Sequence, residues 1–197
     1  MKRRELLSRA CGMGMCSCAA AVFIGDSCKA SQEKQEENEE LQKVQKELFR
    51  KQWWLDHTKR QIAQLWKLLE PHLDDKQRLE ILEQLGRNCA KSLGWGRKYK
   101  DNPEAFFKYM EQSQGEKFEY DEANGIIKIT TPERDCVCGM VNSKITPAYF
   151  CHCSIGWQKQ MYETILDRAI DVELKESVLR GSKRCVFKVR IQEKKPT

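Results

Sequence analysis

Two Cys-x-Cys pairs and one histidine lie within nineteen residues: Asp135-Cys136-Val137-Cys138, a spacer of twelve residues, then Cys151-His152-Cys153-Ser154. Thiolates are strong ligands for Zn²⁺ and for iron–sulfur centres, and a tetrahedral Cys₄ shell needs two chelating pairs brought together by a loop. The spacing therefore predicts a metal site built from Cys136, Cys138, Cys151 and Cys153, with zinc expected first and an iron–sulfur centre second. Cys89 and Cys185 are candidates for additional ligands, each with the alternative of being a small buried apolar side chain. The same segment offers a nucleophile, Cys151 or Cys153, with His152 or Glu173 as the base. Neighbours in an extended segment point apart, so His152 is badly aimed at either adjoining thiol.

Ten cysteines in 197 residues is a high count, with Cys11, Cys16, Cys18 and Cys28 in the first thirty residues and six in the body. Six thiols make three disulfides in an oxidising compartment. Cysteines two apart bond to each other poorly, so each pair would have to bridge outwards, and a metal accounts better for the clustering. The net charge of +6 is modest, and no Lys/Arg cluster is interleaved with exposed aromatics, which argues against nucleic-acid binding. There is no phosphate-cradling glycine loop, no Ser-His-Asp arrangement and no His-Glu-x-x-His helix.

The elements that must position the thiols can be read in chain order. Residues 1–30 begin with Lys2-Arg3-Arg4 and Leu6-Leu7, followed by a small, mostly apolar stretch from Ala10 to Gly25 that is short for a membrane span. This resembles a twin-arginine (Tat) export signal, which implies the Tat machinery as a partner and an extracytoplasmic destination, with a membrane tether if the segment stays uncleaved. Residues 31–71 read as a helical spacer. Leu41, Leu48, Leu55, Ile62 and Leu69 repeat every seven residues, which predicts one amphipathic helix ending before Pro71. Lys51 and Thr58 interrupt the companion positions, so the 41–69 helix either packs on its own domain or pairs as a homodimeric coiled coil.

Residues 72–197 form the cysteine-rich part. Asp74-Asp75-Lys76-Gln77 predicts a capped helix with Leu79, Leu82, Leu85 and Cys89 on one face. Asn102-Pro103-Glu104 predicts another helix, with Phe106, Phe107 and Met110 on its apolar side. Phe118 and Tyr120 alternate before Asn124-Gly125, and Ile127 and Ile129 alternate after it, which predicts a β-hairpin. Beyond the second thiol pair, Trp157, Met161 and Ile165 mark a helix whose first turn would carry Cys151 and Cys153 and lower their pKa. Ile170, Val172 and Leu174, Gly181, then Cys185, Phe187, Val189 and Ile191 predict a closing hairpin. The expected fold class is α+β, an antiparallel sheet of hairpins packed with helices and preceded by a long amphipathic helix.

Cys151-x-Cys153-Ser154-x-Gly156-Trp157, Val172-Glu173-Leu174 and Leu179-Arg180-Gly181-Ser182-x-x-Cys185-x-Phe187 together resemble the C-terminal half of the 4-vinyl reductase domain superfamily. The ending is also similar to that of L-2-amino-thiazoline-4-carboxylic acid hydrolases. The first resemblance implies an internal pocket for a small-molecule ligand, and the second implies hydrolysis of small cyclic amides or thiazolines. In the phenol-sensing branch of the superfamily zinc is held by an early Cys, a Glu-x-x-Cys and the Cys before Phe. Here Cys185 matches the last and Cys151 or Cys153 the first, whereas Leu174 and Ser177 stand at the middle positions.

Overall fold

The structure, a computed structural model, describes residues 21–193 apart from Val137, with side chains from residue 37 onward. The Arg3-Arg4 segment expected to be an export signal, Cys11, Cys16, Cys18 and the side chain of Cys28 lie outside the described residues. The heptad pattern belongs to a single helix, α1 (Ala21–Leu69), which ends in a 3₁₀ turn (Glu70–His72) at Pro71. Proline has no N–H to continue the helical ladder, so the α-helix stops there. The chain divides into two compact units, Met1–Trp53 and Trp54–Thr197. In the first, the described side chains are all exposed, Leu41, Val44 and Leu48 among them. The second holds the thiols and takes in the last turns of α1, where Ala63 and Trp66 are buried.

Within that second unit α2 (Asp75–Leu93) starts at a reciprocal cap, with Asp74 Oδ1 accepting from the Gln77 N–H and Gln77 Oε1 from the Asp74 N–H. Its buried stripe is Leu82, Gly86 and Ala90, while Leu79 is exposed, so the core face is rotated from the one expected through Leu79 and Leu85. The reason is Gly86. A Cβ there would lie 1.8 Å from the Cys153 carbonyl oxygen, and one on Gly156 would lie 2.0 Å from the Glu83 carbonyl oxygen. Only two glycines let α2 and α5 (His152–Leu166) touch backbone to backbone at this point. Arg87 Nη1 and Nη2 donate to the two Glu163 oxygens at 2.5 and 3.1 Å and fasten the pair further along.

A short helix absent from the sequence reading, α3 (Trp95–Lys98), follows Gly94, whose φ of 70° favours glycine. Helix α4 (Pro103–Gln114) has the expected cap, Asn102 Oδ1 accepting from the Ala105 N–H at 3.1 Å. Phe106, Phe107 and Met110 are its buried side.

The α+β expectation is met. Strands β1 (Lys117–Asp121), β2 (Ile126–Thr130), β3 (Ile170–Glu176) and β4 (Val186–Ile191) form one antiparallel sheet in the order β1-β2-β4-β3. Its outer face carries charge: Glu119, Lys128, Lys188 and Glu173 stand in register across it. Its inner face packs on Phe106, Phe107, Met161, Tyr162 and Ile165. Register shifts between Leu174 and Glu176, a bulge that leaves Lys175 and Glu176 both exposed and turns the following Ser177 inward.

Candidate metal centre

The register sorts the inner face into rows. Tyr120, Ile127, Val189 and Val172 form one, and Phe118, Ile129, Phe187 and Leu174 form the next. Both rows are almost wholly apolar. Continuing the same alternation by two residues along each strand reaches Glu116, Thr131, Cys185 and, beyond the bulge, Ser177. This third row is polar throughout. Thr131 and Cys185 are tied by two hydrogen bonds, the Thr131 N–H to the Cys185 carbonyl at 3.0 Å and the Cys185 N–H to Thr131 Oγ1 at 2.9 Å. Ser177 is fully buried, and its Oγ lies 3.0 Å from Cys151 Sγ.

Cys151 reaches this row because it is the last residue of a 3₁₀ turn (Ala148–Cys151) and the cap of α5. Cys153 does not. Each helical residue turns about 100°, so positions two apart diverge by about 200°. Cys151 packs in the core between α5 and the sheet, whereas Cys153 packs with Trp66, Leu82, Val141 and Phe150 against α1 and α2. Cys136 and Cys138 sit in the irregular stretch between β2 and the 3₁₀ turn, half-buried against the same second cluster. Cys89 is half-buried on α2. All six are free thiols.

Among the described residues no three His, Cys, Asp or Glu side chains stand close enough to hold a metal ion. The expectation that Cys136, Cys138, Cys151 and Cys153 converge as one Cys₄ shell is therefore not met, and the divergence at the start of α5 is the physical reason. The expected lowering of the two helix-start thiols is reversed as well. Burial pushes the Cys153 thiol up to about 12, with Cys138, Cys89 and Cys151 adding to it. Burial also raises Cys151, against the hydrogen bond with Ser177, and raises Cys138. Cys185 is raised by burial, opposed by a hydrogen bond to the Val178 backbone. Taking a thiolate out of water costs more here than the partial charge of a helix start returns.

The bases proposed from sequence lie elsewhere. His152 points to α2, its Nε2 3.9 Å from Glu83 Oε2, and burial lowers its pKa. Burial pushes Glu83 up, but hydrogen bonds from Lys159 (2.9 Å) and Arg87 (3.1 Å) outweigh that and hold it below the usual range. Glu173 is on the solvent side of the sheet, paired with Lys175 at 2.5 Å. Neither stands as a base beside a thiol.

Three members of the polar end were missed in the sequence. Glu116 is half-buried, and desolvation raises its carboxyl to about 7 against the opposing effect of Arg134. Thr131 and Arg134 complete the set. The signal was present: extending the Tyr120, Phe118 alternation one step back lands on an acid facing inward. Among the described residues, the two hollows beside the helices and sheet are not lined by thiols, unlike the internal pocket implied by resemblance. One of about 530 Å³ lies on the outer sheet face by Lys128 and Lys188, and one of about 260 Å³ lies by Lys91, Arg97 and Thr164.

A family model described as "Family of unknown function (DUF6144)" matches residues 54–196. No curated protein matches the sequence. Among solved structures the chain is similar to a trafficking protein particle complex subunit 3 from Naegleria fowleri covalently bound to palmitic acid. That match has 16% identity and a TM-score of 0.47, over 71% of this chain and 95% of the other. It is also similar to a vinyl-4-reductase family protein from Methanocaldococcus jannaschii, at 17% identity and a TM-score of 0.34, over 66% of this chain and 75% of that one.

Proposed function

We propose, for a chain that belongs to the DUF6144 family of unknown function, that its body is a metal-binding domain holding one soft ion, zinc before iron, through Cys136, Cys151 and Cys185. The observation that carries this reading is the polar end row, where unpaired thiols from a strand and a helix cap meet a sheet otherwise lined with apolar side chains. Cys151 touches the Ser177 hydroxyl, and the backbone of the next residue, Val178, acts on the Cys185 thiol.

The donor chemistry suits a soft divalent ion, since thiolates are strong zinc ligands and a water can fill a fourth position. Burial raises the Cys151 and Cys185 thiols, and a cation supplies the counter-charge that lets them ionise. The sulfurs as they stand do not enclose an ion. Binding therefore requires Cys136 to leave its half-buried place against the second apolar cluster and turn towards Cys151 and Cys185. Export by the Tat pathway belongs to the same reading, supported by Arg3-Arg4 with Leu6-Leu7, because that route suits a protein loaded before it leaves.

Elemental mass spectrometry on the full chain, purified without oxygen, tests the proposal. The expected result is one zinc per chain, lost in a Cys151→Ser, Cys185→Ser double variant and kept in a Cys138→Ser variant. A folded, metal-free protein whose thiols all titrate would end it.

A further inference from the structure

We infer that the part of α1 lying in the first unit docks onto the same segment of a second copy of this chain, the two helices running antiparallel about residue 46. The stripe to be covered is set by the seven-residue repeat. Leu41 and Leu48 take one core position of the heptad and Val44 the other, and they are 54%, 66% and 57% exposed. Every described side chain of the unit that ends at Trp53 is exposed, so among the described residues that unit lays nothing of its own over them. A helix with an apolar stripe and no core to face takes its stability from a partner. The inference stands apart from the metal reading above.

Charge selects the partner and its direction. This segment opens acidic, with Glu37, Glu39 and Glu40, and continues basic, with Lys43, Lys46, Arg50 and Lys51, so end to end it is complementary to itself. Glu37 and Lys51 share the heptad position of Val44, one on either side of it. Two copies in parallel register would set Glu37 against Glu37 and Lys51 against Lys51 along the seam, two like-charge layers in a short coil. Reversing one copy removes both. With the axis at residue 46, Val44 lies opposite Leu48 of the second copy and Leu41 opposite Lys51 of the second copy, each contact made twice by the symmetry. Glu40 then stands about 1.5 Å along the axis from the level of Lys51 of the second copy. Lys51 already leans to that flank, because its Nζ holds Glu47 of its own helix at 2.9 Å, and Glu47 lies one heptad from Glu40. The same bridge neutralises Glu47, the acid that meets its own counterpart near the axis.

The test uses the full chain, kept reduced, in sedimentation velocity across the micromolar range, where a monomer–dimer equilibrium is expected. Leu48→Lys should weaken that association at least about tenfold, since it removes both Val44–Leu48 contacts. The urea transition of the body should stay where it was, because Leu48 is exposed in the single chain. Direction is read by zero-length carbodiimide coupling followed by mass spectrometry. Within one helix Glu40 and Lys51 are about 16 Å apart, and parallel copies in register keep that separation, so a Glu40–Lys51 link marks the antiparallel pair. A dimer that yields this link and is lost in Leu48→Lys supports the inference. A dimer that Leu48→Lys leaves intact, or one that never gives the link, overturns it. A pure chain that stays monomeric throughout also overturns it and leaves the stripe to a different protein.

Discussion

Cys136–Cys138 and Cys151–Cys153 have the same spacing and meet different fates. The first pair lies in backbone without regular structure, and both members stay half-buried against one cluster of apolar side chains. The second pair straddles the start of α5, and the helical turn sends Cys151 towards the sheet and Cys153 towards α1 and α2. A Cys-x-Cys motif chelates as a unit only where its backbone lets both sulfurs face the same way. At a helix start it becomes two separate thiols with two separate neighbourhoods.

The sharpest way to break this contrast is alkylation. With its pKa pushed from 9 to about 12, Cys153 should react roughly a thousandfold more slowly at pH 8 than an ordinary thiol, its rate climbing until the pH approaches 12. Residue-resolved mass spectrometry reads this directly, and a Cys153 that labels as fast as Cys136 would erase the distinction. Next in size is the contact that holds Cys153 in place. Gly86→Ala or Gly156→Ala forces a methyl into a backbone 1.8 or 2.0 Å away and should cost about 3 kcal/mol or more in urea unfolding. A cost near zero would mean the helices separate freely and that Cys153 is not pinned.

A smaller effect concerns the end row. The raised carboxyl of Glu116 means that the folded chain holds a proton between pH 4.5 and about 7 that the unfolded chain releases. Stability of the metal-free protein therefore falls as pH rises across that window and is level above it. Glu116→Gln should abolish the slope, matching the parent below pH 4.5 and exceeding it by roughly 1–3 kcal/mol at pH 8. An unaltered slope would place Glu116 in water. The smallest change serves as a control away from both pairs: Asp74→Ala removes one half of the α2 cap and should cost about 1 kcal/mol while leaving thiol reactivity as it was.

Much of the scaffold was legible because local chemistry decided it. The Asp74 and Asn102 caps, the Asn124-Gly125 turn and the alternation through Phe187 and Val189 each act within a few residues, and each is found in place. The candidate site was legible in its parts and not in its assembly. Cys185 was expected inward and is, but which sulfurs meet depends on the rotation of α5 against α2, set by a glycine contact between residues seventy apart. The lowered thiol pKa failed for a related reason, since burial by distant elements outweighs a helix start next door. Glu116 escaped because the hairpin was read as beginning at Lys117, and the residue just outside an element is where its periodicity is easiest to drop.

The irregularity between Leu174 and Glu176 acts as a parity setting for everything after it. Were the same residues to alternate strictly, without the bulge, Glu176 would face inward, the hydroxyl of Ser177 would look out to solvent, and Cys151 would be left against a glutamate stem. A one-codon deletion at Lys175 would thus straighten the strand and still keep Glu176 outward and Ser177 inward, since the lost residue is the one that the pairing skips.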